Sequence, residues 1–308
     1  MRPFLCAAAL ITLPLLLAAT AAAEEKSPLA ALVAATVDQV PAKKLFGAQK
    51  LPANLRARAI GAYAKGCLAG AKMLPVNGEA WQVMRLKRNR NWGHPLLVAL
   101  VERLAREAKQ YDGWNGLLVG DISQPRGGPM LTGHASHQVG LDADVWLTPM
   151  PDKIFSAKER ETVSARLVVK NHKEMDYKVW TEAHARLIKR AASYPEVERI
   201  FVHPPIKQEL CRWATGDRSW LAKVRPLYGH NYHFHIRMAC PKGEESCKPQ
   251  GEPKTKDGTG CGEELAWWLG DEPWQKKKRD PNLPPVKPPP PLTLGGLPPD
   301  CRGVIAAE

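Results

Sequence analysis

GHASHQVGLDADVW, residues 133–146, decides how this chain is read. His134 and His137 sit between glycines and run into Leu141–Leu147, which alternates in polarity. Val145 and Trp146 there favour a strand. On a strand, residues two apart share a face. Asp142 and Asp144 therefore project together, and Ala143 and Val145 point the other way. A second stretch, GHNYHFHIRM (229–238), repeats the design. His233 and His235 share one face, about 7 Å apart at the backbone. Phe234 and Ile236 take the other face, and His230 precedes the strand beside a glycine. Five of the nine histidines fall in these two clusters. A His/Asp face over an apolar face is how a rigid metal site is built. Imidazole and carboxylate suit Zn²⁺, and three protein ligands leave a fourth position for water. Spacing alone leaves open which of His233 and His235 is a ligand. A hydrogen-bonded polar core would use the same residues.

The flanking sequence indicates the fold class. His94–Gln110 carries apolar residues at helical spacing, and Gly116–Gly120 reads as a short buried strand. Residues 123–140, rich in Gly, Ser, Gln and Pro, read as a loop. Trp180–Ser193 reads as an amphipathic helix, and Val197–Val202 as a strand closed by Pro204 and Pro205. Helices and strands mix irregularly. The expectation is an α+β fold, a small mostly antiparallel sheet with flanking helices.

The chain has 308 residues, 44% hydrophobic and 24% charged, enough for a sizeable core. Its 44 Lys and Arg against 31 Asp and Glu give +13, which favours acidic polymers as partners. Interleaved aromatic and basic residues of a nucleic-acid stacking platform are missing, so no nucleic acid is expected. Arg2, the apolar run Phe4–Leu17 and small residues up to Ala23 read as a signal peptide over 1–23. Export to the periplasm follows, with no stable membrane insertion after cleavage. Six cysteines remain beyond Cys6, an even number suited to an oxidising compartment. Residues 24–59 read as an N-terminal extension and 60–270 as the main domain. Residues 271–308 form a tail with Lys276–Arg279 and a Pro-rich stretch of extended character. A disulfide through Cys301 is expected to strap this tail back.

His137-x6-Asp144 followed by His233-x-His235 resembles the signature of the LAS-type metallopeptidases. That group includes D-Ala-D-Ala carboxypeptidases, dipeptidases and the hedgehog domain. The strings RNRNWGHP (88–95), IFVHPPIKQELC (200–211) and KVRPLYGHNYHFHIRMACP (223–241) resemble, within it, the penicillin-insensitive murein endopeptidase family. The likeness covers roughly residues 60–270. It implies an LAS-like fold, with His137, Asp144 and His235 as zinc ligands and His134 at times counted with them. It makes His233 the base-like histidine and puts His230 beside it. It implies the disulfides Cys67–Cys301, Cys211–Cys261 and Cys240–Cys247. Some relatives hold a second metal in the segment that here reads Asn171-His172-Lys173-Glu174, which does not offer the same ligands.

The implied substrate is peptidoglycan, cut at the D-alanyl-meso-diaminopimelyl cross-link. Arg85, Arg88, Arg90 and Arg126 are candidates for holding peptide carboxylates, because guanidinium matches a carboxylate bidentately. Arg126 is taken as the substrate-binding residue, and Trp92 and Trp146 as core. Two other readings stand beside this one: a D,D-carboxypeptidase with the same metal site, and a non-catalytic, zinc-stabilised wall-binding module.

Overall fold

The computed structural model describes residues 36–275, 284 and 289–308. The signal-peptide reading and the basic run Lys276–Arg279 lie outside the described residues. The chain divides into the compact units Met1–Val37 and Asp38–Glu308, and the second holds everything below. Among the described residues, no helix is long and apolar enough to cross a membrane.

In chain order the larger unit begins with α1 (Ala42–Ala48), then the hairpin strands β1 (Arg58–Ala62) and β2 (Lys65–Ala69). Next come β3 (Asn77–Gly78), β4 (Trp81–Val83), α2 (Pro95–Tyr111), β5 (Leu117–Val119) and β6 (Asp142–Trp146). They are followed by α3 (Ala157–Thr162), α4 (Glu182–Ser193), β7 (Val197–Val202), α5 (Pro204–Trp213), β8 (Val224–Pro226) and β9 (His233–Met238). Helices α6 (Glu263–Leu269) and α7 (Asp300–Ala306) end the chain. Two further two-stranded ladders join Lys72–Met73 to Trp92–Gly93 and Val169–Lys170 to Glu174–Met175.

The main sheet has seven strands in the order β8-β7-β9-β6-β5-β4-β3. It is larger than the sequence suggested, and it is mixed. Strands β4 and β5 run parallel, as do β7 and β8, and the other four pairs are antiparallel. The cause is the connections: parallel neighbours need a crossover, and α2 and α5 supply one each. Helix α2 starts at Pro95, whose fixed φ suits the first turn. The His94 side chain accepts a hydrogen bond from the Leu96 N–H. Pro204 and Pro205, expected only to close β7, also open α5.

Strands β6 and β9 lie at the centre, and every residue in them is buried. Their downward face, Ala143, Val145, Phe234 and Ile236, joins one core with Leu97, Val101 and Leu104 of α2 and Leu187 and Ile188 of α4. Truncating Phe234 to Ala there would cost about 3–5 kcal/mol. The hairpin β1–β2 was not anticipated: RAIGA and KGCLA are dominated by small residues and give little strand signal. Three disulfides, Cys67–Cys301, Cys211–Cys261 and Cys240–Cys247, tie the periphery to this core.

Candidate metal centre

The upper face of the two central strands carries the chemistry. The antiparallel register sets His235 opposite Asp144, His233 opposite Trp146 and Arg237 opposite Asp142. His235 Nε2 lies 2.9 Å from Asp142 Oδ1, so its proton points at that carboxylate. The other nitrogen, Nδ1, is turned towards Asp144 Oδ1 at 3.2 Å. A histidine whose far nitrogen is held by a carboxylate, leaving the near one free, is the usual arrangement beside a metal. Asp142 is fully buried, and Arg237 Nε also donates to it at 2.8 Å.

The second arm is the irregular segment 123–140. His137 has φ +67°, a backbone state that non-glycine residues seldom adopt. Three bonds hold it there. Its N–H donates to Asp142 Oδ2 at 2.9 Å, its carbonyl accepts from Ser123 Oγ, and its Nδ1–H donates to the Ile122 carbonyl. With the proton on Nδ1, the Nε2 lone pair is left facing Asp144 Oδ1 at 3.5 Å. His134 Nε2 lies between two carboxylates, 3.1 Å from Asp121 and 3.4 Å from Asp144. The segment is packed tightly enough to require glycine. At Gly128 (φ +74°) an added Cβ would fall 2.2 Å from the Phe46 ring.

His134, His137 and Asp144 each offer an atom, all within 4.8 Å of one another. Of the four ligands expected, these three form the mutual set, and His235 adjoins it through Asp144. Two atoms at this point, His137 Nε2 and Asp144 Oδ1, are buried without a hydrogen-bond partner, and His233 Nε2 faces the same oxygen at 3.6 Å. Burying a carboxylate oxygen unpaired is costly unless a cation compensates it. The donor set and these orphaned atoms fit a divalent metal of the zinc class.

Electrostatics point the same way. Burial pushes the Asp144 carboxyl up, but the neighbouring histidines, His233 and His137 first, outweigh it and hold it ionised well below its usual range. Burial likewise opposes ionisation of Asp121, yet His134, Arg88 and Arg90 bring its pKa down to about 2. Burial lowers the His233 pKa, so its ring is neutral and can accept a proton. The His230 ring packs against His233, tilted by 42° with centroids 4.9 Å apart, and burial lowers its pKa to about 3.

A cleft of ≈ 250 Å³ opens onto this group, lined among others by Arg85, Arg88, Asp121, Tyr232 and His233. Arg88 is half exposed there. Arg85 donates to the Arg160 and Val163 carbonyls and lies over the Trp146 ring. Arg90 spans Asp121 and the Thr132 carbonyl, bracing the loop behind His134. Trp92 is half-buried, with its indole N–H donating to Asn89. Trp146 is buried in a small core with Met84 and Leu118, as expected, and also lines the cleft.

Arg126 is not brought to this cleft. It is 7% exposed, and its guanidinium donates to the Val304, Ile305 and Ala307 carbonyls of α7 and its end. Those are orphan acceptors of a helix C-terminus, which attract a cation. The role expected of Arg126 as a substrate ligand is thus corrected to that of a clamp on the loop bearing His134 and His137. Sequence reading also missed Asp121 and Arg237. Asp121 had a signal, a lone carboxylate just past a buried strand, whereas Arg237 shares the face of His233 and His235.

The chain matches the family described as penicillin-insensitive murein endopeptidase over residues 59–306. A protein of that name from Haemophilus influenzae is 46% identical over 214 residues, covering 70% of this chain and 74% of the relative. One from Klebsiella pneumoniae is 39% identical over 254 residues, 82% of this chain and 88% of the relative. One from Salmonella paratyphi B is 40% identical over 249 residues, 81% and 86% respectively.

Proposed function

The chain belongs to the penicillin-insensitive murein endopeptidase family, and from that premise we propose that it is a zinc-dependent murein endopeptidase of the periplasm. Its substrate is the D-alanyl-meso-diaminopimelyl cross-link between peptidoglycan stem peptides. One observation carries the reading: His137 Nε2 and Asp144 Oδ1 face each other at 3.5 Å, both buried and without a hydrogen-bond partner.

In this reading His137, Asp144 and His235 hold Zn²⁺, with His134 beside them. The ion would supply Lewis acidity, polarising the scissile carbonyl and acidifying water. His233, whose Nε2 faces Asp144 Oδ1 at 3.6 Å, takes the water proton and returns it to the leaving amine. His230 packs against His233 and limits the positions its ring can adopt. Asp142 fixes His235 and the His137 backbone together, so that both ligands keep one geometry. Arg88 and Arg85 at the cleft offer positive charge to the carboxylates of a stem peptide. Every cysteine among the described residues lies in a disulfide, so none offers a thiol nucleophile. Chemistry without an acyl-enzyme gives β-lactams nothing to acylate.

The test is digestion of purified cross-linked muropeptide dimers with and without a chelator, with His235→Ala and His233→Ala in parallel. Conversion to monomers that chelator and His235→Ala both abolish supports the reading. Release of terminal D-Ala alone would make it a carboxypeptidase. Stoichiometric zinc binding without cleavage would make it a wall-binding module.

A further inference from the structure

Beyond the metal group, one surface has a composition the proposed chemistry does not use. His172, His203, Tyr228 and Trp274 have ring centroids 5.5–6.5 Å apart, and Trp268 extends the row 6.3 Å from Trp274. Tyr228 is 60% exposed and His172 is exposed, in a chain where aromatic residues are 7% of the total. Trp274 and Trp268 are half-buried behind these two, and an aromatic cluster with such an exposed edge marks a binding surface more often than a solvated one.

The row is continuous with the cleft. The His203 N–H donates to the His230 carbonyl, and the Tyr228 carbonyl lies 2.8 Å from His230 Nδ1. His230 in turn packs against His233. Several polar edges are already engaged inside the protein. The Trp274 indole N–H donates to the Trp268 carbonyl, and His203 Nε2 bonds the His172 carbonyl. The Lys173–Asp271 ion pair joins the segment of His172 to the turn of Trp274. His203 is fully buried, and its Nδ1 has no partner among the described residues. Burial lowers its pKa to about 4, so the row has a neutral ring at its base.

Neutral ring faces interleaved with imidazole suit a ligand that has both apolar C–H faces and polar edges. A pyranose is such a ligand, whereas the carboxylate-rich stem peptide is better served by Arg85 and Arg88. Resting on the reading of the cleft as a murein site, we infer that this aromatic row is a saccharide subsite. It takes an N-acetylated amino sugar of the glycan strand that carries the cleaved stem peptide. The unpartnered His203 Nδ1 marks a polar position at the base of the row.

The test has two arms, both on the full chain. In the first, peptide-free glycan oligomers are titrated by calorimetry into wild type, Tyr228→Ala, Trp274→Ala and the ring-restoring Trp274→Phe. Saturable binding, weakened about tenfold by either alanine and regained by Trp274→Phe, is expected. No binding by wild type, or equal binding by all four, overturns the inference. So does binding of a peptide of residues 281–292 in place of glycan, which would give the row to the Pro-rich tail. In the second arm, cross-linked dimers with and without their disaccharides are digested. The alanine variants should lower kcat/KM for sugar-bearing over sugar-free dimers about tenfold, through KM rather than kcat. Equal losses on both substrates overturn the subsite but leave the endopeptidase reading intact. Wild type that cuts neither dimer overturns the endopeptidase reading, and the glycan titration then decides the subsite alone.

Discussion

The two arms of the metal centre are held by different physics. His235 and Asp144 belong to β9 and β6, and ladder hydrogen bonds fix their separation at the middle of a seven-stranded sheet. His134 and His137 belong to a segment with no ladder of its own. They are placed by side chains: Ser123 on the His137 carbonyl, Asp142 on its N–H and Arg126 gripping the end of α7. The strand arm draws its rigidity from neighbours in register. The loop arm borrows it from residues up to 181 positions away in sequence. A site built this way depends on both arms for chemistry but unequally for order.

The largest effects should not distinguish the arms at all. His137→Ala on the loop and His235→Ala on the strand should each lower kcat/KM by about three orders of magnitude or more, since each removes a proposed ligand. A variant of either that kept a tenth of wild-type turnover would remove that residue from the ligand set. Next in size is the residue that joins the arms. Asp142 accepts from His137 N–H, His235 and Arg237 at once. Asp142→Asn should weaken zinc binding about 10–100-fold, as measured by competition with a chromophoric chelator. Affinity unchanged in that variant would mean that the arms are aligned by the sheet alone.

This asymmetry also explains what was legible in the sequence. Period-two alternation put Asp142 with Asp144 on one face of their strand and His233 with His235 on one face of theirs, while the register that sets Asp144 opposite His235 comes from the sheet. The loop arm could be recognised by its histidines but not by what supports them. Arg126 offers the same guanidinium whether it meets a substrate carboxylate or helix carbonyls, and only the position of α7 decides. The parallel strand pairs were invisible for a related reason: β4 and β5 have three residues each, and their direction is set by the path of α2. Trp146 is buried with Met84 and Leu118 as expected, and because strand alternation puts it on the face of Asp144 its edge also lines the cleft.

A smaller effect, and one confined to the loop arm, should follow from cutting its strap. Cys67 lies on β2, whose next residue, Leu68, donates its N–H to the Arg126 carbonyl. Replacing Cys67 and Cys301 by serine frees α7 and with it the acceptors that Arg126 holds. Unfolding stability should fall by about 2–4 kcal/mol. Hydrogen exchange should quicken in residues 124–139 while the amides of β9 keep their protection, and turnover should fall only a few-fold. Arg126→Met should reproduce the exchange pattern with the disulfide intact. Equal loss of protection in β9 would mean that the two arms form a single cooperative unit.

The smallest effect should fall on the strand arm alone. His184 is 2% exposed, with Nε2–H donating to the Leu147 carbonyl just past β6 and Nδ1 accepting the Thr181 N–H. Both nitrogens are satisfied only in the neutral ring. Burial lowers its pKa to about 4, although the bond to the Leu147 carbonyl resists the shift. In the unfolded chain the ring binds its proton at about 6.5. Between those values the unfolded state holds more protons, so this share of stability is complete above pH 6.5 and is lost as pH falls towards 4. The slope cannot exceed one proton, or about 1.4 kcal/mol per pH unit. His184→Gln should remove that share from denaturant unfolding measured between pH 7 and 5. The guanidinium of Arg126, clamping the loop arm, does not titrate in this range. An Arg126→Met variant should therefore keep the wild-type slope at a lower stability. If His184→Gln leaves the slope intact, the acid sensitivity lies elsewhere, and the strand arm is as indifferent to pH as the loop clamp.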